Sequence, residues 1–351
     1  MEELEWTRGK KLGSGGFASV YMATTNPNQT SFMPPVMAVK SVVLTKARSL
    51  ERESDIYYHL QGSCPYILGF FGDDVTIDNG KAYFNVFLEY GPFGSLGDRI
   101  RQQYGNYRIG LHEFEVNRYS KGILEGIKYV HQKNYVHCDI KPDNILLVPT
   151  PSDSARVNVV PKIADFGLAK RVGKKVENKN EDGRISIRGT PIYMAPESIR
   201  YNEYEPPSDI WAFGLVVLEM LTGQKPWNSD CDTPVNSLLQ RIGYSDELPS
   251  IPSYLSSEAQ DFLKKCLVKD VALRWSVDKL LSHPFVTRCW YLLLPTCLCQ
   301  NGIPILVFTA VAAYNGTKRR RITDEVEVVL VSSHPFPGSD NNKEVLKEQR
   351  K

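Results

Sequence analysis

The apolar positions fall into two regimes along the chain. Up to Leu88 they cluster in short strand-like runs, such as Val20-Tyr21-Met22 and Met37-Ala38-Val39, the latter a strand expected to end at Lys40. One helix interrupts these runs, expected near residues 45–60, with Leu50 to Leu60 its clearest stretch. After Leu96 helical spacing takes over: from Tyr119 the apolar residues Ile123, Ile127 and Val130 recur every three or four positions, as on a half-buried helix. Ile145 to Val148 and Val159 to Ile163 read as two further short strands, and the turn formers between Leu147 and Lys162 as an extended loop with no catalytic role. Glu89-Tyr90-Gly91 is the crossover between the regimes, and no internal repeat is visible. The pattern implies an α+β architecture of two lobes, a small mainly β lobe over residues 6–90 and a larger mainly α lobe over residues 91–288.

Polar residues set into this framework carry the candidate chemistry. In Tyr135 to Leu147, YVHCDIKPDNILL, an aspartate, a lysine and an asparagine stand at the spacing that phosphoryl transfer from ATP requires. Asp139 would accept the proton of a substrate hydroxyl, Lys141 would lie beside the transferring phosphoryl group, and Asn144 would hold a magnesium ion. Taken alone, the same segment also reads as a polar turn before a buried strand. Asp165-Phe166-Gly167 follows the second short strand, and Asp165 is the expected principal metal ligand, since a hard cation favours oxygen donors. Upstream, Lys40 is expected to grip the α- and β-phosphates, with Glu53 as its ion-pair partner.

Gly13 to Val20, GSGGFASV, fits both a phosphate-covering hairpin and the looser dinucleotide fingerprint. A dinucleotide domain needs a helix directly after the glycines and an acidic residue about twenty positions on. Here strand-like residues and Pro27, Pro34 and Pro35 follow, so the glycines read as a hairpin over phosphates, with Ala18 at the third glycine position.

These motifs resemble those of eukaryotic protein kinases over roughly Trp6 to Arg288. The resemblance extends to Ala195-Pro196-Glu197, to Asp209, Trp211 and Gly214 in an apolar helix, and to Arg274 before His283-Pro284-Phe285. It implies the two-lobed protein kinase fold, ATP and Mg2+ as cofactors, and an ATP site formed by Leu12, Gly13, Ser14, Gly15, Gly16, Val20, Ala38, Lys40, Glu89 and Gly91. Within it Glu89 and Gly91 would offer a carbonyl and an amide to adenine, with Leu88 at the back of the pocket. The resemblance makes Glu197–Arg274 a buried structural pair and Asp209 the anchor of the catalytic loop. Lys141 together with Gly189-Thr190-Pro191 is similar to serine/threonine kinases, and the motifs as a whole to plant MAP kinase kinase kinases. That implies MAP kinase kinases as protein substrates in a stress or hormone signalling cascade. Ser186 and Thr190 become the expected regulatory positions. One departure stands out: Cys138 occupies the place of the arginine that usually receives an activation-loop phosphate. The loop carries basic residues, among them Lys170, Arg171, Lys174 and Arg188, that are open either to phosphate binding or to plain solvation.

Charge and composition narrow the partners. With 42 basic against 40 acidic residues, no nucleic-acid partner is expected. Seven irregularly spaced cysteines read as reduced thiols, and the acidic start Met1-Glu2-Glu3 does not resemble a leader, so a cytoplasmic or nuclear location is expected. Residues 289–351 form a tail whose segment Cys289 to Thr317 holds no charged residue and is followed by the basic cluster 318–321. Membrane contact by this tail is not favoured, because prolines and Gln300-Asn301-Gly302 break the run and the basic flank would place the kinase unit away from ATP. A nucleotide-binding scaffold and a membrane-tethered kinase of another family remain the alternatives to an active enzyme.

Overall fold

A computed structural model describes residues 6–15, 18–25, 33–62, 64–107, 109–150, 158–175, 188–227, 234–287, 296–300 and 303–307, the last two segments by backbone alone. Strands β1 (Trp6–Ser14), β2 (Ser19–Thr25), β3 (Val36–Val43), β4 (Phe70–Asp78) and β5 (Lys81–Leu88) form one antiparallel sheet in the order β1-β2-β3-β5-β4. Side chains alternate across a strand, so Ala38, Lys40 and Val42 share one face of β3 while Met37 and Val39 share the other. Ala38 and Val42 join the main core, whereas Met37 and Val39 form a second cluster with Ala23 and Phe87, covered by Trp6 and Tyr21. Burial on both faces makes β3 apolar apart from Lys40 and Ser41, and the strand runs three residues past Lys40, the expected strand end, to Val43. Helix α1 (Arg48–Leu60) packs against β4 and β5 through Leu50, Ile56, Tyr57 and Leu60.

The second lobe is built on helices α2 (Leu96–Tyr107), α3 (Glu113–Gln132), α4 (Pro196–Tyr201), α5 (Pro206–Thr222), α6 (Val235–Tyr244), α7 (Ser257–Cys266), α8 (Val277–Leu281) and α9 (Pro284–Thr287). At its centre lies α5, buried from Ser208 to Leu221, which is why its sequence is apolar on all sides. A capping box between Glu205 and Ser208 starts α5, and Gly223, at φ 73°, ends it. Two short ladders support the site. Strand β6 (Tyr135–Val136) pairs with β9 (Lys170–Arg171), and β7 (Ile145–Thr150) with β8 (Asn158–Ile163). The β7–β8 ladder extends the two expected strands by Pro149, Thr150 and Asn158 into the stretch read as loop, since neighbouring strands satisfy each other's backbone groups wherever both stay extended.

Residues 288–351 form a separate unit. Its described part is a hairpin, β10 (Thr296–Gln300) antiparallel to β11 (Ile303–Val307), with Gln300 opposite Ile303. No helix among the described residues is long and apolar enough to cross a membrane. The basic cluster 318–321 lies outside the described residues.

Candidate active site

The loop from β6 to β7 is suspended from one carboxylate. Asp209, near the start of α5, accepts the amides of His137 and Cys138 at 2.9 and 3.0 Å and faces His131 Nε2 at 2.9 Å. Burial pushes the Asp209 carboxyl up, but the His131 hydrogen bond and its neighbours outweigh that and hold it below the usual range. Cys138 takes a left-handed backbone at φ 67°, which turns the chain so that Asp139 faces the cleft. Lys141 Nζ donates to Asp139 Oδ2 at 2.7 Å and to Thr190 Oγ1 at 2.9 Å, and the Thr190 hydroxyl donates to Asp139 Oδ1 at 2.8 Å. Asn144 Nδ2 donates to the Asp139 carbonyl at 2.9 Å and to its Oδ2 at 3.0 Å. Thr190 reaches this cluster because Gly189, at φ 108°, lies so close to the loop that a Cβ would stand 2.7 Å from the Cys138 carbonyl. The hydroxyl of Thr190, expected as a regulatory position, is therefore engaged by Asp139 and Lys141 inside the site.

A second cluster gathers around Lys40. Its ammonium stands 2.7 Å from Glu53 Oε2 and 3.1 Å from Asp165 Oδ1, joining β3, α1 and the segment after β8. Burial alone would lower the pKa of Lys40, but the two carboxylates more than offset it and hold the group above the ordinary lysine range, so it stays charged. Behind these groups runs a column of rings. Phe70 stacks on Tyr57 at 5.4 Å, Tyr57 meets Phe166 edge-on at 5.1 Å, and Phe166 meets His137 at 5.0 Å.

Both clusters open on a cleft of about 840 Å³ between the sheet and the helical lobe. Leu12, Gly13, Ser14, Gly15, Val20, Ala38, Lys40, Glu53, Glu89, Gly91, Asp139, Asn144 and Asp165 line it, together with Leu88. Gly16 lies outside the described residues, as does Ser186.

A family model described as a protein kinase domain matches residues 6–286. The chain belongs to the protein kinase family. It is 43% identical over 284 residues to mitogen-activated protein kinase kinase kinase 20 of Arabidopsis thaliana, a match covering 81% of this chain and 79% of that protein. It is similar to two further Arabidopsis proteins, mitogen-activated protein kinase kinase kinases 17 and 18, at 38% and 39% identity over 286 and 292 residues, with 81% of this chain covered in each case and 70% and 78% of the relatives. The chain is thus a serine/threonine protein kinase, an enzyme of a family that uses ATP and a divalent metal.

The kinase cleft fits such a pair of ligands. Among the described residues, an added Cβ would meet no atom within 4 Å at Gly13, and at Gly15 only the Ala18 carbonyl at 4.0 Å. Packing against the protein therefore does not require these glycines, and their bareness leaves room for a phosphate chain. Among the described residues no three His, Cys, Asp or Glu side chains gather as a metal site. A cation here would draw on oxygens of Asn144 and Asp165 and complete its shell with phosphates and water, as Mg2+ does.

Three side chains with a clear place in the kinase site went unassigned in the sequence reading. Lys162 on β8 donates to both carboxylate oxygens of Glu89 at 2.9 and 2.8 Å, tying the crossover to the strand that leads into Asp165. Tyr57 follows Glu53 by four residues, one turn along the same face of α1. Glu205 accepts from Lys170 Nζ at 2.8 Å. That ion pair corrects the reading of Lys170 as an open loop cation: its side chain is buried at 6% exposure and already compensated. Arg188 is committed as well, its guanidinium donating to the Leu168 carbonyl at 2.5 Å. Lower in the lobe, Arg274 forks onto Glu197 with contacts of 2.6 and 3.0 Å, both side chains buried.

Proposed function

We propose that this kinase is a MAP kinase kinase kinase, which transfers the γ-phosphoryl group of magnesium-bound ATP to serine or threonine hydroxyls of MAP kinase kinases. The observation that carries the reading is the meeting of the Lys40–Glu53–Asp165 and Asp139–Lys141–Asn144 clusters in one cleft, in a chain similar to plant proteins of that name. Adenine would lie between Ala38 above and Leu146 below, hydrogen-bonded to the Glu89 carbonyl and the Gly91 amide. Lys40, kept charged by its two carboxylates, would hold the α- and β-phosphates. Bound Mg2+ neutralises charge on the transferring phosphates. Asn144 commits its amide nitrogen to Asp139, which leaves its oxygen for that ion beside Asp165. Asp139 would take the proton of the substrate hydroxyl, and Lys141 would follow the phosphoryl group from ATP to acceptor. The catalytic unit would end near residue 288, and the enzyme would work in the cytoplasm or nucleus. Nothing in the comparisons favours a scaffold without activity or a membrane-tethered kinase of another family.

Phosphorylation of purified MAP kinase kinases by the full chain tests the reading. The parent should label them on serine or threonine, and Asp139→Asn should bind ATP with unchanged affinity while its turnover falls by about 10²–10⁴-fold, the usual worth of a positioned general base. Parent protein that binds ATP yet labels no MAP kinase kinase would refute the substrate assignment, and full turnover by the Asp139 variant would refute the mechanism.

A further inference from the structure

Asp165 sits in a backbone conformation uncommon for residues that carry a side chain, although aspartate enters it more readily than most. Its φ of 62° lies in the left-handed region, which a side-chain-bearing residue holds only where its surroundings over-determine it. The determining contacts come from two sides. Lys40 and the Gly167 amide hold Oδ1 at 3.1 and 3.3 Å, which leaves Oδ2 for a cation. On the backbone side, the Asp165 amide donates to the Tyr57 hydroxyl at 3.3 Å. Tyr57 is itself immobilised: it is 1% exposed and wedged between Phe70 and Phe166. Burial first, and then the Glu53 and Asp165 carboxylates, hold its phenol well above the usual range, so it stays protonated at any working pH.

We propose that the Tyr57 hydroxyl is a positioning group for metal binding: it pins the left-handed Asp165 backbone and so aims Oδ2 at the cation. The inference rests on the reading of Asp165 as a metal ligand. It gives α1 two independent holds on Asp165. Glu53 acts through Lys40 on the carboxylate, and Tyr57, one turn later, acts on the amide. A displacement of α1 would loosen both holds together, so the geometry of the metal ligand reports the placement of that helix. Apolar packing alone would be served equally by phenylalanine, because the ring contacts do not involve the oxygen.

Tyr57→Phe removes one atom and keeps the ring column. Calorimetric titration of the full chain with the non-hydrolysable analogue AMP-PNP, in excess chelator and then in saturating Mg2+, separates nucleotide binding from metal binding. The affinity in chelator should match that of the parent. The gain in affinity produced by Mg2+ should be smaller in the variant by about 2- to 10-fold, the range expected for one hydrogen bond. Amide exchange at Asp165, followed without ligand, should quicken by a similar factor. Equal magnesium gains and equal exchange in the two proteins would overturn the proposal. A parent that gains nothing from Mg2+ would instead overturn the metal-ligand reading, and the exchange measurement would still decide whether Tyr57 pins the backbone. Should the Phe variant melt markedly lower, Tyr57→Met serves as a second hydroxyl-free side chain, and the same reduced magnesium gain is expected from it; an unreduced gain there refutes the proposal.

Discussion

The Glu89 carboxylate accepts from Lys162 on β8 and from the Gly69 amide at 2.9 Å, while the Glu89 amide donates back to the Gly69 carbonyl at 2.8 Å. One side chain thereby braces the backbone that, in the proposed reading, would face adenine. The sequence reading reached Glu89 only through its backbone, because nothing in local spacing links it to a lysine 73 residues away. Lys162→Met should leave this carboxylate three-quarters buried with a single amide donor, a loss of about 1–3 kcal/mol for a hydrogen bond to a charged group. Because adenine contacts are made in ground and transition states alike, steady-state kinetics should show KM for ATP raised several-fold and kcat nearly unchanged. A fall in kcat with unchanged KM would mean that Lys162 acts on Asp165 instead. Cys138 illustrates the opposite case, a residue whose oddity was legible at once. Its surroundings were not: the thiol sits beside Met194, Tyr204 and Leu239, and burial, then the Asp209 charge, pushes its pKa far above the ordinary thiol value.

Between elements, the contact of β9 with the start of α5 decides how the segment after Asp165 is held. Lys170 is buried, and its charge is answered by Glu205, which also accepts the Gly173 amide at 3.1 Å and caps α5. Apolar spacing announced α3, and short apolar runs announced β7 and β8, since each is a feature of local sequence. They could not announce that a helix cap and a strand lysine meet. Glu205→Gln keeps the capping geometry but removes the negative charge, so it isolates the ion pair. Glu205 is 40% exposed, and solvent screening limits its share, so we expect a cost of about 1–2 kcal/mol, read as a melting temperature lower by a few degrees. An unchanged melting temperature would show that Lys170 is satisfied by the Arg171 carbonyl alone, which it meets at 3.2 Å.

Over the whole molecule, buried contacts within and between the lobes depend on ionised groups, and acid should therefore loosen the fold. Asp209 is the clearest case: its folded pKa lies below the unfolded value of about 3.9, so its contribution is complete above that value and is lost as pH falls through the folded one. Thermal unfolding followed from pH 6 down to about pH 2 should show a steep limb below about pH 4, flatter in Asp209→Asn because that variant has already lost the linkage. Equal slopes would remove Asp209 from the acid response. What the sequence by itself determined was the class of fold, the order of the motifs and the chemical type of each group in the cleft. These are properties of residue identity and of short-range period, which an unfolded chain already carries. Tertiary structure alone decided the pairings: Lys40 with Asp165 across 125 residues, Tyr57 with Asp165 across 108, Glu205 with Lys170, and Thr190 engaged by Asp139. Such contacts depend on how packed elements bring distant backbones together, and no local pattern records which donor will find which acceptor once the core has closed.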